Sequence, residues 1–308
     1  MASESSHSTY YVPEQAKFPI FLTFGVLMML AGFGSVLNHN AAGASTTLPA
    51  IISWAGFGVL VVVVFQWFKA VIQENHAGLN NAQVERSFKW GMGWFIFSEA
   101  MLFAAFFGAL FYARQLSVPW LGGEGEKGLA GVYLWPEFQA AWPLLSNPDP
   151  SLYTAPQSGL NITSWSPGFL LSYLPFWNTT ILVISSITLH FAHGALKAEN
   201  RKRLIQWMVV TVVLGVTFLF LQGLEYVEAY EHYGITLDSG IYGSTFFILT
   251  GFHGFHVAIG TFILFVMTLR CLKGHFTPDN HFGFEGATWY WHFVDVVWLI
   301  VFVFVYAI

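Results

Sequence analysis

Charged side chains are scarce in this chain of 308 residues, where they make up only 9% of the sequence. An ordinary soluble domain carries about 25%. Hydrophobic residues reach 55%, and several apolar runs approach the roughly 20 residues needed to cross a hydrocarbon layer of about 30 Å. The composition therefore excludes an ordinary soluble domain and indicates an integral membrane protein.

Cysteine is almost absent, and Cys271 is its single occurrence. One cysteine excludes an intrachain disulfide, a CxxC metal site and a CxxCH haem attachment. The sequence also contains no Walker A, HExxH or GxSxG motif, so nothing points to phosphate-loop or serine-nucleophile chemistry. The formal net charge is −5, which supplies no basic field for nucleic acid.

Seven stretches are long and apolar enough to span a membrane. In lipid each must be helical, because an isolated strand would leave its backbone groups unpaired. We therefore predict an all-α membrane protein with seven transmembrane helices. The predicted spans are Phe18–Asn38, Leu48–Phe68, Phe88–Tyr112, Pro175–Leu196, Leu204–Tyr226, Gly243–Arg270 and Glu285–Tyr306.

The segment 113–167 interrupts this pattern, since its seven prolines leave no apolar run long enough to span. We predict an extramembrane loop there. The predicted organisation is an N-terminal segment (1–17), a two-helix bundle (18–72), a connection with the third helix (73–112), the loop insertion (113–167) and the last four helices (168–308), which complete a five-helix bundle.

The basic residues predict the orientation. If the seven spans are correct, ten of the 12 Lys and Arg lie on one side, and only Arg114 and Lys127 lie on the other. Cytoplasmic loops are the ones enriched in Lys and Arg. We therefore expect a cytoplasmic N-terminus and a C-terminus outside. The first apolar run lacks a clear cleavage site, so we expect it to stay as a membrane anchor.

Glu99 is an acidic residue in an unusual position, because it lies in the apolar run WFIFSEAMLF (94–103). It falls about 16 Å along the helix from Phe88, near the middle of the bilayer. An acidic residue there costs about 2.5–3.5 kcal/mol on insertion scales and is a functional candidate by default. Because a low dielectric disfavours charge, we expect a neutral carboxyl. No basic residue is expected at mid-membrane to pair with it. A purely structural hydrogen bond to another helix is the alternative.

Three further pairs at i, i+3 spacing share helix faces, namely His190/His193, His253/His256 and His292/Asp295. Histidine could ligate haem or metal, or simply bond to neighbouring helices. No glutamate inside a predicted span has a histidine three residues later, which disfavours a di-iron carboxylate site. Glu225, Glu228 and Glu231 are expected to form a solvated helix end, with an ion-collecting mouth as the alternative.

The C-terminal third carries a resemblance to a known family. The stretches GIYGSTFFILTGFHGFHVAIGTFIL (240–264), GHFTPDNHFGFEGATWYWHFVDVVWL (274–299) and FLQGLEYVEA (220–229) closely resemble subunit III of haem–copper cytochrome c oxidase. So do LPFWNTTILVISS (174–186) and FIFSEAMLF (95–103). The resemblance runs in order from about Leu48 to the C-terminus, and it is poorest in residues 1–17 and 113–167.

The resemblance implies a supporting, non-redox subunit. It implies two helix bundles (helices 1–2 and 3–7) around a lipid-filled V-shaped cleft, with no haem or copper, because those belong to partner subunits. Direct packing on subunit I, with subunit II in the same complex, is implied, together with support of proton uptake, protection from turnover-linked inactivation and a route for oxygen. Contacts with other respiratory complexes are a further expectation. The resemblance also places the protein in a bacterial inner membrane, or alternatively a mitochondrial one.

Site residues follow from the same resemblance. Glu99 matches the family's buried, carbodiimide-reactive glutamate, and the histidine pairs are not redox-metal ligands. Trp67 and Phe68 occupy the positions of the family's aromatic pair that contacts lipid. Glu74 occupies the position of the acidic residue in the same segment. Arg270, Lys273 and His275 resemble a basic cluster that holds an anionic phospholipid, although plain cytoplasmic topology would also explain them.

Two other functions stay open at this point. A quinol oxidase subunit III generally has five helices, so the two spans before Lys69 favour the cytochrome c branch. A free-standing multipass transporter would use Glu99 as its coupling residue, but no clear inverted repeat supports this.

Overall fold

A computed structural model describes residues 16–308, so residues 1–15 of the predicted N-terminal segment lie outside the described part. The fold is all-helical, as predicted, with about 75% helix and no strand within the described residues. Its α-helices are α1 (Phe18–Ala41), α2 (Thr47–His76), α3 (Ala82–Tyr112), α4 (Val118–Leu121), α5 (Leu129–Leu134), α6 (Pro167–Ser172), α7 (Leu174–Lys197), α8 (Arg201–Glu231), α9 (Gly240–Lys273) and α10 (Phe282–Val301).

Seven helices in the described residues are long and apolar enough to cross a membrane, which confirms the predicted number. The third is continuous from Ala82 to Leu121, because a π-helical stretch (Ala113–Ser117) joins α3 to α4. The helix therefore extends beyond Tyr112, where the predicted span ends. The helix continues through Pro119, which follows the π-helical stretch by two residues, and it ends at Leu121.

The chain forms two compact units, which divide between Trp90 and Gly91 inside α3. In the first unit, α1 and α2 approach closely through glycines. A Cβ atom added at Gly56 would lie 2.4 Å from the backbone nitrogen of Met29, and one at Gly32 would lie 2.5 Å from that of Ser53. The hydroxyl of Ser53 donates to the carbonyl oxygen of Met29 at 3.0 Å. Backbone packing, as in many membrane helix pairs, holds this unit together.

In the second unit, α8 shows how helical periodicity builds the core. Its buried residues recur at alternating intervals of four and three, which places them on one stripe. They are Leu204, Met208, Thr211, Gly215, Phe218, Gln222, Glu225 and Ala229. This stripe is enclosed mainly by α7 and α9, and α10 packs against both of those helices.

The 113–167 segment is tied to the end of the second unit by several hydrogen bonds. The backbone N–H of Ile162 donates to the carbonyl oxygen of Tyr306 at 2.8 Å, and that of Leu160 donates to the Tyr242 hydroxyl at 3.1 Å. The Tyr173 hydroxyl donates to the carbonyl oxygen of Leu160. Burial, and then the nearby Glu225, raise the pKa of Tyr173, so the hydroxyl keeps its proton.

The close contact at Gly56 gives a first prediction. Gly56→Ala should lower the unfolding temperature of the purified protein assembly, because overpacking against backbone costs about 1–3 kcal/mol. Gly58→Ala, two residues further along the same helix, is the matched control, since a Cβ atom there meets nothing within 4 Å. Thermal unfolding in detergent measures both. Equal behaviour of the two variants would show that the α1–α2 contact is not tight.

Candidate functional site

Glu99 from α3 meets His256 from α9 inside the second unit. The Glu99 Oε2 atom lies 3.0 Å from the His256 Nε2 atom. The side chain of His256 is 8% exposed and that of Glu99 is 21% exposed. The sequence-based expectation that Glu99 has no basic partner is therefore wrong, because His256 lies 157 residues further along the chain and only the fold brings it here.

The hydrogen bond of the other ring nitrogen of His256, Nδ1, determines how many protons the pair holds. His256 Nδ1 lies 2.6 Å from the carbonyl oxygen of Phe252. A carbonyl only accepts hydrogen bonds, so Nδ1 must carry a hydrogen. The contact at Nε2 then holds one shared proton, either on the carboxyl group beside a neutral imidazole or on the imidazole beside a carboxylate. The pair is neutral overall in both cases and can pass a proton without adding charge to the bundle.

Aromatic rings surround this pair. The ring of Phe103, which is 2% exposed, lies 5.1 Å from the His256 ring at an angle of 62°. Tyr290 of α10 stacks on Phe95 at 6.1 Å, and its hydroxyl reaches the carbonyl oxygen of His256 at 3.5 Å. These rings exclude water from most of the pair, which strengthens its hydrogen bond.

The remaining histidines are dispersed. The His253 Nε2 atom lies 3.1 Å from the carbonyl oxygen of Val294, and His253 is fully buried beside Trp298. His193 lies beside His281, with ring centroids 5.6 Å apart, whereas His190 is exposed. Between residues 16 and 308, no group of three or more His, Cys, Asp or Glu side chains could hold a metal ion.

Glu225 departs from its prediction. The sequence predicts a solvated helix end there, but Glu225 is only 1% exposed. The Tyr306 hydroxyl donates to its Oε1 atom at 2.5 Å, and the Asn178 side-chain amide donates to Oε2 at 3.4 Å. Its position on the buried stripe of α8 was the signal that could have revealed this, since it follows Phe218 and Gln222 at helical spacing.

The predicted lipid residues of the first unit lie on α2. Trp67 stacks on Phe18 at 6.1 Å, Phe68 is exposed, and Glu74 is half-buried near the helix end. The same helix lines an open groove of about 580 Å³. Its lining residues are Phe18, Val61, Val62, Phe65, Gln66, Lys69, Ala70 and Gln73. The groove combines an apolar wall with one cation, Lys69. The sequence alone did not identify Lys69 as part of a site.

The predicted basic cluster lies at the end of α9 in the second unit. Arg270 packs over Phe276 at 4.4 Å, Lys273 is exposed, and the backbone N–H of His275 donates to the carbonyl oxygen of Arg270. Arg201, at the start of α8, joins them by donating to the carbonyl oxygen of Leu272. The left-handed backbone of Gly274 turns the chain beside that guanidinium, and sequence reasoning did not include Arg201.

These features define a multispanning integral membrane protein with a neutral carboxyl–imidazole pair between two of its helices. The family model for cytochrome c oxidase subunit III matches residues 7–127 and 156–308. The chain is 36% identical to cytochrome c oxidase subunit 3 of Hippopotamus amphibius over 304 residues, and 98% of each chain is covered. The corresponding protein of Gadus morhua is 35% identical over 298 residues, with 96% of each chain covered. The chain belongs to the cytochrome c oxidase subunit III family.

The pair gives a second prediction. Glu99→Ala should destabilise the helix packing by about 1–3 kcal/mol, because it leaves His256 Nε2 buried without a partner. Glu99→Gln should be milder, since its amide can donate to the unprotonated nitrogen. The measurement is the temperature at which this chain dissociates from its purified complex in detergent.

Ser98→Ala is the control for this comparison, because Ser98 is exposed and bonds to the backbone oxygen of Phe95 in its own helix. An assembly lost with Glu99→Gln but intact with Glu99→Ala would contradict the shared-proton geometry.

Proposed function

We propose that this chain is a non-redox subunit of a proton-pumping cytochrome c oxidase, and that it supports proton uptake and durability in the catalytic subunit I on which it packs. Haem and copper would belong to partner subunits, with subunit II in the same complex. The two spans α1 and α2 favour the cytochrome c branch over a quinol oxidase. The bacterial inner membrane, with the N-terminus in the cytoplasm, is the proposed location.

The observation that carries the proposal is the Glu99–His256 pair in a chain of this family. A carboxyl group that holds a single shared proton is suited to organising neighbouring helices, since it avoids burying a net charge. It can also donate or accept one proton locally. Its proposed work is to hold α3 against α9 beside another subunit's proton pathway.

Phospholipid is the second component of the proposal. The groove on α2 suits an acyl chain along Val62 and Phe65, with the ammonium of Lys69 near the headgroup. The cluster of Arg201, Arg270 and Lys273 suits an anionic headgroup, because Lys and Arg bind phosphate by charge-assisted hydrogen bonds. Lipid held in this way would maintain a route for oxygen and stabilise the contacts between subunits.

The proposed role predicts the behaviour of the oxidase without this chain. An oxidase purified from a strain that lacks it should start electron transfer at roughly the normal rate, because no redox group has been removed. It should then lose activity severalfold sooner during turnover. Oxygen consumption followed to complete inactivation measures both quantities, and re-addition of the chain should restore the lifetime. An initial rate close to zero would point to a direct catalytic role and contradict the proposal.

The lipid component has its own test. Lys273→Gln should reduce the anionic phospholipid that stays with the purified complex by severalfold, because one headgroup cation is removed. Lys202→Gln is the matched control, since Lys202 is an exposed lysine at the start of α8. Native mass spectrometry of the complex counts bound lipids. Equal losses from both variants would indicate a general surface charge effect instead of a site.

A further inference from the structure

We propose that the outer surface of α5 is a docking site for a second polypeptide of the oxidase assembly, one with an apolar contact bordered by basic side chains. The inference rests on the proposed membership of an oxidase complex. The surface consists of Leu129, Val132, Tyr133 and Leu134, and is called the α5 face below.

The α5 face turns its large apolar side chains away from the rest of the protein. Their exposed fractions are 67% for Leu129, 53% for Val132, 81% for Tyr133 and 67% for Leu134. The helix is held instead by its glycines. A Cβ atom at Gly131 would lie 2.3 Å from the carbonyl oxygen of Leu121, so α5 packs directly on the backbone of α4. A firmly attached helix that exposes its apolar side marks an interaction surface.

The α5 face lies beyond the lipid. We take Arg114, the first charged residue after the apolar run of α3, as the end of the hydrocarbon layer. Leu121 lies seven residues further along the continuous helix, which is about 10 Å. The headgroup region adds only about 5–7 Å on each side of the hydrocarbon layer. Since α5 packs beside Leu121, lipid does not cover its face.

The charges around the α5 face select the partner. Glu124 and Glu126 precede it in the sequence and Glu137 follows it, and all three are exposed. The ammonium group of Lys127 lies over the Trp120 ring, 4.4 Å from its centroid. Helices that rest on membranes are rich in Lys and Arg, and this segment is acidic. An acidic border instead complements a basic protein surface.

The α5 face also lies outside the residues that the family model matches. The family model leaves residues 128–155 unmatched, and α5 falls within them. A surface outside the matched residues suits a partner that is specific to this type of oxidase.

Photo-crosslinking in the intact complex tests the proposal. A benzophenone amino acid at position 133 should crosslink to one polypeptide that co-purifies in stoichiometric amount, through a peptide that contains Lys or Arg beside apolar residues. Leu129→Asp combined with Leu134→Asp should reduce that product about tenfold. These side chains are exposed, so the chain itself should still fold and assemble.

Leu152→Asp is the matched control. Leu152 is 69% exposed in the same segment, but it lies near Thr154, which is bonded to the α8–α9 connection at Asp238. It should leave the crosslink unchanged. Crosslinks to lipid alone, no crosslink, or a product that both variants reduce equally would overturn the proposal. If the chain fails to co-purify with haem-containing subunits at all, the proposed function itself fails, which is a distinguishable result.

Discussion

The packing of the second unit depends on the indole ring of Trp291. It is fully buried on α10, and its N–H donates to the Ser185 hydroxyl of α7 at 2.9 Å. A Cβ atom at Gly215 of α8 or Gly260 of α9 would lie only 2.9 Å from the ring. One side chain of α10 therefore contacts three other helices, and two of them provide space for it because glycine occupies the position of contact. Removing such a core tryptophan typically costs about 3–5 kcal/mol.

This packing sets the position of the Glu99–His256 pair. Tyr290, the neighbour of Trp291, faces the His256 backbone and stacks on Phe95 of α3. The placement of α10 therefore helps to define the distance between His256 and Glu99. The same principle holds at Glu225, where Tyr306 and Asn178 satisfy a carboxyl group inside the core. Glu99 and Glu225 are thus each bonded to a group from another helix, because lipid offers no hydrogen-bond partner.

The sequence determines the helices of this protein far better than their contacts. Length and hydropathy locate the seven spans, and the depth of Glu99 in WFIFSEAMLF follows from the helical rise alone. Its partner could not be predicted, because the pairing of α3 with α9 is a tertiary property that local spacing does not encode. Glu225 is an intermediate case, since the periodic stripe of α8 contained the information. In the 113–167 segment, proline content suggested a break where the π-helical stretch in fact continues the helix.

The shared proton of Glu99 and His256 has an electrical consequence. An elementary charge that crosses the whole membrane gains about 2.3 kcal/mol for every 100 mV. A proton that moves across one 3.0 Å hydrogen bond travels about 1 Å, a thirtieth of the hydrocarbon layer, and so gains less than about 0.1 kcal/mol. The pair would therefore keep the same distribution of its proton whether or not a voltage lies across the membrane.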